Sequence, residues 1–143
     1  MSRYLLDTHA VIGLLTGNGD NLPDHIREDI ESFRNQYYIS VASIVEMTDK
    51  QQKKSDVIVP GDAALWIQML GDRGVELISV TPEVVLRFSR EGIPESQMLK
   101  HKDPFDRLII STALVHRLTL ISADHKFPWW QRYRKLSLLY IGN

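Results

Sequence analysis

The sequence predicts an α/β fold built on a mainly parallel sheet. Short apolar runs bounded by turn residues alternate with segments of helical periodicity. The connections between apolar runs are long enough to carry helical crossovers, as parallel strands require. A third observation says where a site would lie. Isolated acidic residues stand just past the apolar runs, and in parallel α/β sheets ligands bind at the carboxyl ends of the strands.

The elements follow in order. Tyr4-Leu5-Leu6 reads as a short buried strand, followed by a helix to about Leu15 that Gly17-Asn18-Gly19 ends. Pro23 to Arg34 reads as a helix, with Ile26, Ile30 and Phe33 recurring at i, i+4, i+7. Tyr37 to Val41 is aromatic and β-branched, hence a second strand, and Ala42 to about Lys54 is helical with a polar end. Val57 to Pro60 is extended, Asp62 to Asp72 helical, and Gly74 stops that helix before a third strand, Glu76 to Val80. Thr81-Pro82 and Asp103-Pro104 each pair a capping side chain with proline at the first helical position, and the second of these helices runs to about His116. Thr119 to Ser122 is the fourth strand and Leu136 to Ile141 the fifth.

The chain has 143 residues, which suits one domain over 1–143 with a sizeable core. It has no cysteine, which excludes disulfides and thiolate metal sites and fits a reducing compartment. No apolar run is long enough to span a bilayer, and an acidic residue comes too early for a signal peptide, so the expected location is cytoplasmic. The net charge of −1 hides an asymmetry: residues 100–135 carry eight Lys/Arg against three Asp. A basic segment beside acidic residues suits a polyanionic substrate, and a solvated face is the ordinary alternative.

Four acids draw the argument together. Asp7 directly follows the first strand, Glu46 lies about one turn into the helix after the second, Asp106 sits in the first turn of the helix before the fourth, and Asp124 comes two residues beyond it. Strand ends and helix starts share one edge of such a sheet, so the four carboxylates can converge on one cleft. Clustered carboxylates repel, and a hard divalent cation gives them a reason to be together. Mg²⁺, or Mn²⁺, fits oxygen donors, can activate water and can neutralise charge on a phosphodiester. Each acid also has an ordinary reading. Asp7 can cap a helix, Glu46 can be a surface position, Asp106 can serve the helix dipole beside the capping Asp103, and Asp124 can be a turn residue.

Four segments carry a family resemblance. They are Tyr4 to Ala10 (YLLDTHA), Ile39 to Glu46 (ISVASIVE), His101 to Ile110 (HKDPFDRLII), and Leu118 to Asp124 (LTLISAD) with Lys126-Phe127. The chain resembles PIN-domain proteins of the VapC-type toxin ribonuclease group, over nearly its whole length. The resemblance implies a PIN-like three-layer sandwich with a five-stranded, mainly parallel sheet flanked by helices. It implies a metal-dependent endoribonuclease acting through a metal-activated water, with Mg²⁺ (or Mn²⁺) held by Asp7, Glu46, Asp106 and Asp124. Ser122 matches a small hydroxyl residue that orients the nearby acid or water, Thr8 can help Asp7 in the same way, and Asp103 is left as cap or outer group. The expected partners are an RNA substrate, a cognate antitoxin whose tail covers the cleft, and a second copy in a homodimer. The chain departs from the pattern at Gly17 to Pro23, in the polar run Asp49 to Lys54, and in the aromatic, basic stretch Trp129 to Lys135, all outside the quartet.

Other residues carry two readings each. Arg107 can neutralise the acids or touch phosphate, or form a structural salt bridge. Trp129, Trp130 and Tyr133, interleaved with Arg132, Arg134 and Lys135, can stack on unpaired bases, but packing in the core or a dimer is the usual role of large aromatics. Trp66, Leu65 and Met69 read as core or dimer contacts, and the five histidines show no metal spacing. Alternative functions are a PIN nuclease of RNA processing that is no toxin, a silent RNA- or protein-binding module, and an aspartyl-phosphate phosphatase. The phosphatase needs a second aspartate where His9 stands.

Overall fold

A computed structural model describes residues 1–19, 21–54, 59–91 and 103–142. The strands are β1 (Arg3–Leu6), β2 (Gln36–Ser40), β3 (Val75–Ile78), β4 (Thr119–Ser122) and β5 (Leu138–Tyr140). The helices are α1 (Thr8–Thr16), α2 (Asp24–Ser32), α3 (Val41–Gln52), α4 (Ala63–Asp72), α5 (Pro82–Arg90), α6 (Pro104–His116) and α7 (Phe127–Tyr133). The five strands form one parallel sheet in the order β3-β2-β1-β4-β5. The chain thus winds outward from β1 to one edge and returns through β4 to the other, which makes the gap between the exits of β1 and β4 the topological switch point.

Alternation along the strands divides the core. Leu6, Tyr37, Ile39 and Ile121 face one side, where Val11, Leu14, Ile26, Met47, Trp66 and Leu70 bring α1 to α4 against the sheet. Leu5, Tyr38 and Leu120 face the other side, onto Ile109, Ile110 and Ala113 of α6 and Phe127 and Trp130 of α7. The result is the three-layer arrangement expected from the sequence.

Capping sets most helix starts. Asp7, Ser40, Asp62, Thr81 and Asp103 each accept a backbone N–H in the first turn of the helix they precede. Gly17, at φ 76°, closes α1 in the left-handed conformation that glycine adopts without strain. The boundaries differ from the sequence reading where a side chain caps. Ser40 ends β2 one residue earlier than expected because its hydroxyl accepts the Ala42 N–H, so Val41 opens α3.

Three expectations need correction or fall away. The aromatic, basic stretch is the short helix α7, which the sequence reading did not assign. Leu65 is exposed, while Trp66 is 1% exposed and donates its indole N–H to the Pro60 carbonyl at 3.0 Å. Val57 and Ile58 of the expected extended Val57–Pro60 segment, together with Lys100, His101 and Lys102, lie outside the described residues. Among the described residues no helix is long and apolar enough to cross a membrane.

Trp66 fills the space between α4 and the sheet, so Trp66→Ala should lower unfolding free energy by about 3–5 kcal/mol in a denaturant titration.

Candidate metal site

The exits of β1 and β4 meet through one buried hydrogen bond. Ser122 Oγ donates to Asp7 Oδ2 at 2.6 Å, while Asp7 Oδ1 accepts the Ala10 N–H at 2.8 Å. Asp7 therefore caps α1, as one reading of it expected, and faces the switch point at the same time. It is 5% exposed. Burial pushes its carboxyl above the usual range; the hydrogen bonds from Ser122 and Ala10 and the neighbouring His9 oppose that shift, and Asp124 adds to it. Ser122 Oγ also accepts the Asp124 N–H at 3.0 Å, so one hydroxyl links both acids.

Glu46 enters from α3. Its position in the second turn, on the face toward α1, buries it to 4% exposure. Thr8 Oγ1 donates to Glu46 Oε1 at 2.6 Å and lies 3.0 Å from Ser43 Oγ. The sequence reading gave Thr8 to Asp7. The structure gives it to Glu46, because Thr8 is the first residue of α1 and α1 packs beside α3. Lys50, one turn further along α3, lies 3.3 Å from Glu46 Oε2.

The third edge comes from α6 and the turn after β4. Asp103 Oδ1 accepts the Phe105 N–H at 2.9 Å, the capping role expected of it. Asp103 also stands with Glu46 and Asp106 in a group in which one carboxylate oxygen from each lies within 4.8 Å of the others. Asp124 Oδ1 accepts the Lys126 N–H at 2.9 Å, and Lys126 Nζ lies 3.5 Å from Asp124 Oδ2 and 3.8 Å from Asp106 Oδ2.

All five carboxylates line one cleft of about 220 Å³, together with Thr8, His9, Lys50 and Lys126. Two lysines against five acids leave an excess of three formal negative charges. Asp106 registers the strain: burial first, then Asp103 and Glu46, push its carboxyl from 3.8 to about 7; Lys126 lowers it and Asp124 raises it. The donor set is oxygen throughout, and three donors lie close enough for one small ion to meet together. That chemistry fits a hard divalent cation.

Several residues stand differently from the sequence reading. Asp103 joins the acids as well as capping. His9, Lys50 and Lys126 line the cleft and were not singled out from the sequence as site residues; of the three, only Lys50 carried a spacing signal, four residues after Glu46 on a helix. Arg107 is not in the cleft: its guanidinium lies 4.6 Å from the Phe88 ring centroid, and among the described residues it pairs with no acid. Its place in α6 turns it toward α5 instead.

The PIN-domain family model matches residues 4–129. No curated protein matches the chain. Among solved structures, it is similar to VapBC2 from Rickettsia felis bound to a DNA fragment from its promoter, at TM-score 0.64 and 17% identity over 96% of this chain and 98% of that one. It is similar to DNA-bound VapBC from Salmonella typhimurium, at TM-score 0.64 and 16% identity over 98% of each chain. VapBC-5 from Mycobacterium tuberculosis, described as one of the VapBC toxin–antitoxin systems, gives TM-score 0.57 and 15% identity over 100% of each chain. At these identities the likeness establishes the fold.

The raised Asp106 carboxyl has a signed consequence. A folded-state value above 3.8 means the native protein holds its proton more tightly than the unfolded chain, so this group's contribution to stability falls as pH rises from about 4 to 7. In excess chelator, Asp106→Asn should flatten that slope and raise the unfolding midpoint at pH 7 relative to the parent. Thermal scans across this range measure the difference.

Proposed function

The chain belongs to the PIN-domain family, and from that premise we propose that it is a cytoplasmic, metal-dependent endoribonuclease, the toxin of a toxin–antitoxin pair. One observation carries the nuclease reading: five carboxylates share a small cleft at the switch point with two lysines for compensation. Such a cluster is costly unless a cation joins it. Asp7, Glu46, Asp106 and Asp124 are the residues we assign to Mg²⁺ or Mn²⁺ among the five acids of the cleft, and Asp103 joins them because its oxygen groups with those of Glu46 and Asp106. When bound, a divalent ion supplies activation of water and neutralisation of charge on the phosphoryl group.

The protein's own contribution is positioning. Ser122 and the Ala10 N–H fix the orientation of Asp7, and Thr8 fixes Glu46, so both carboxylates are aligned before any ligand arrives. Lys126 holds Asp106 and Asp124 together at the cleft mouth. Water attacks phosphorus in line and the P–O3′ bond breaks, leaving a 5′-phosphate and a 3′-hydroxyl. The antitoxin partner is supported by the fold's likeness to structures described as VapBC and as toxin–antitoxin systems. A homodimer is part of the same reading.

Asp7→Asn should abolish RNA cleavage and, on expression, growth arrest, with circular dichroism unchanged. Full cleavage by that variant, or by the parent in excess chelator, overturns the reading. Ser122→Ala should weaken Mg²⁺ binding by about 10- to 100-fold in calorimetry while all five carboxylates remain.

A further inference from the structure

We propose that the outer face of α7 is a subsite for unpaired nucleobases of the RNA strand whose phosphodiester lies in the acidic cleft. The inference rests on the ribonuclease reading and adds how the substrate is held.

The cleft alone cannot hold a polyanion. Its formal excess of three negative charges repels phosphates, and one divalent ion offsets only part of that excess. Affinity must come from an adjoining surface. Five residues at i, i+3, i+4, i+7 and i+8 (His125, Pro128, Trp129, Arg132 and Tyr133) line a groove of about 490 Å³ along α7. That spacing is one helical face, while Phe127 and Trp130 of the same helix are buried at 1% exposure beneath it. The packing role expected of the tryptophans is complete in Trp130 and partial in Trp129, which packs against the same core and also lines the groove.

The groove has the chemistry of a stacking platform. The Trp129 and Tyr133 rings are stacked, with centroids 4.3 Å apart and 24° between planes, and the Arg134 guanidinium lies 3.7 Å from the Tyr133 ring centroid. Trp129 is braced edge-on by the buried Trp130 at 5.1 Å. Tyr133 is held between the Trp129 ring and the Arg134 guanidinium, so the face offered to a base is that of Trp129 turned away from Tyr133, with Arg132 beside it for the adjoining phosphate. No acidic residue occurs from 125 to 143, so nothing in that stretch opposes the strand.

The residues that line the groove follow directly in the chain on those that line the cleft. Asp124 and Lys126 line the cleft and His125, between them, lines the groove. Asp124 also bonds the Lys126 N–H at the start of α7, which ties the helix to the acids. A strand leaving the cleft past Lys126 meets Trp129 about one turn later.

The test uses the full-length protein and a fluorescein-labelled single-stranded oligoribonucleotide. Trp129→Ala and, independently, Arg132→Glu should each raise KM about tenfold or more, with kcat changed less than twofold. Trp129→Phe should restore most of the loss. In the Asp7→Asn background with Mg²⁺, both substitutions should weaken oligonucleotide binding by a similar factor, and a blunt duplex should compete poorly. Unchanged KM in both variants of an active enzyme overturns the subsite and leaves the ribonuclease reading standing. A parent that cleaves no RNA yet binds the oligonucleotide through Trp129 overturns the ribonuclease reading and leaves the subsite. Variants that alter the sedimentation coefficient but not RNA affinity make the face an interface between copies and overturn the proposal.

Discussion

The hydrogen bond from Ser122 to Asp7 joins the ends of two adjacent central strands, and the site is arranged around it. Asp7 uses one oxygen to start α1 and the other to receive Ser122, while Ser122 accepts the Asp124 N–H. Two acids from distant parts of the sequence are thus fixed by a single hydroxyl. Asp7 and Ser122 are both buried, so water cannot substitute for the bond between them, and its loss leaves an unsatisfied polar group in a low-dielectric setting.

The remaining acids make the cleft an electrostatic compromise. The sheet brings Glu46, Asp103, Asp106 and Asp124 to the same edge, and the protein partly offsets their repulsion with Lys50 and Lys126 and with protonation of Asp106 near neutrality. The two lysines that line the cleft come from α3 and from the head of α7. The fold tolerates this arrangement because two separate apolar layers, one on each face of the sheet, carry the stability.

Much of the architecture was legible in the sequence because local rules agreed with the global fold. Thr81-Pro82 and Asp103-Pro104 announced their helices through paired capping and proline signals, and the apolar runs announced four strands closely. β5 was shorter than its apolar run, since Leu136 packs in the core before the strand begins. The helix α7 was not legible: its start at Lys126 has no side-chain cap, and two tryptophans in a row obscure which face is buried. The acids at strand exits could be found from topology, but partnerships could not. That Thr8 serves Glu46, that Asp103 both caps and joins the acids, and that Arg107 stacks on Phe88 are settled by how helices pack, which no spacing encodes.

The alternation of Leu5 and Leu6 between the two cores has a consequence for how this chain can change in length. β1 is central and paired on both sides, so a residue inserted or deleted within it would exchange the two apolar layers and carry Asp7 off its capping position. Indels between Arg3 and Ala10 therefore meet two independent penalties, one in packing and one in the cleft. The founding strand is the segment whose residue count is frozen, and it acts as the ruler from which every other part of the site takes its position.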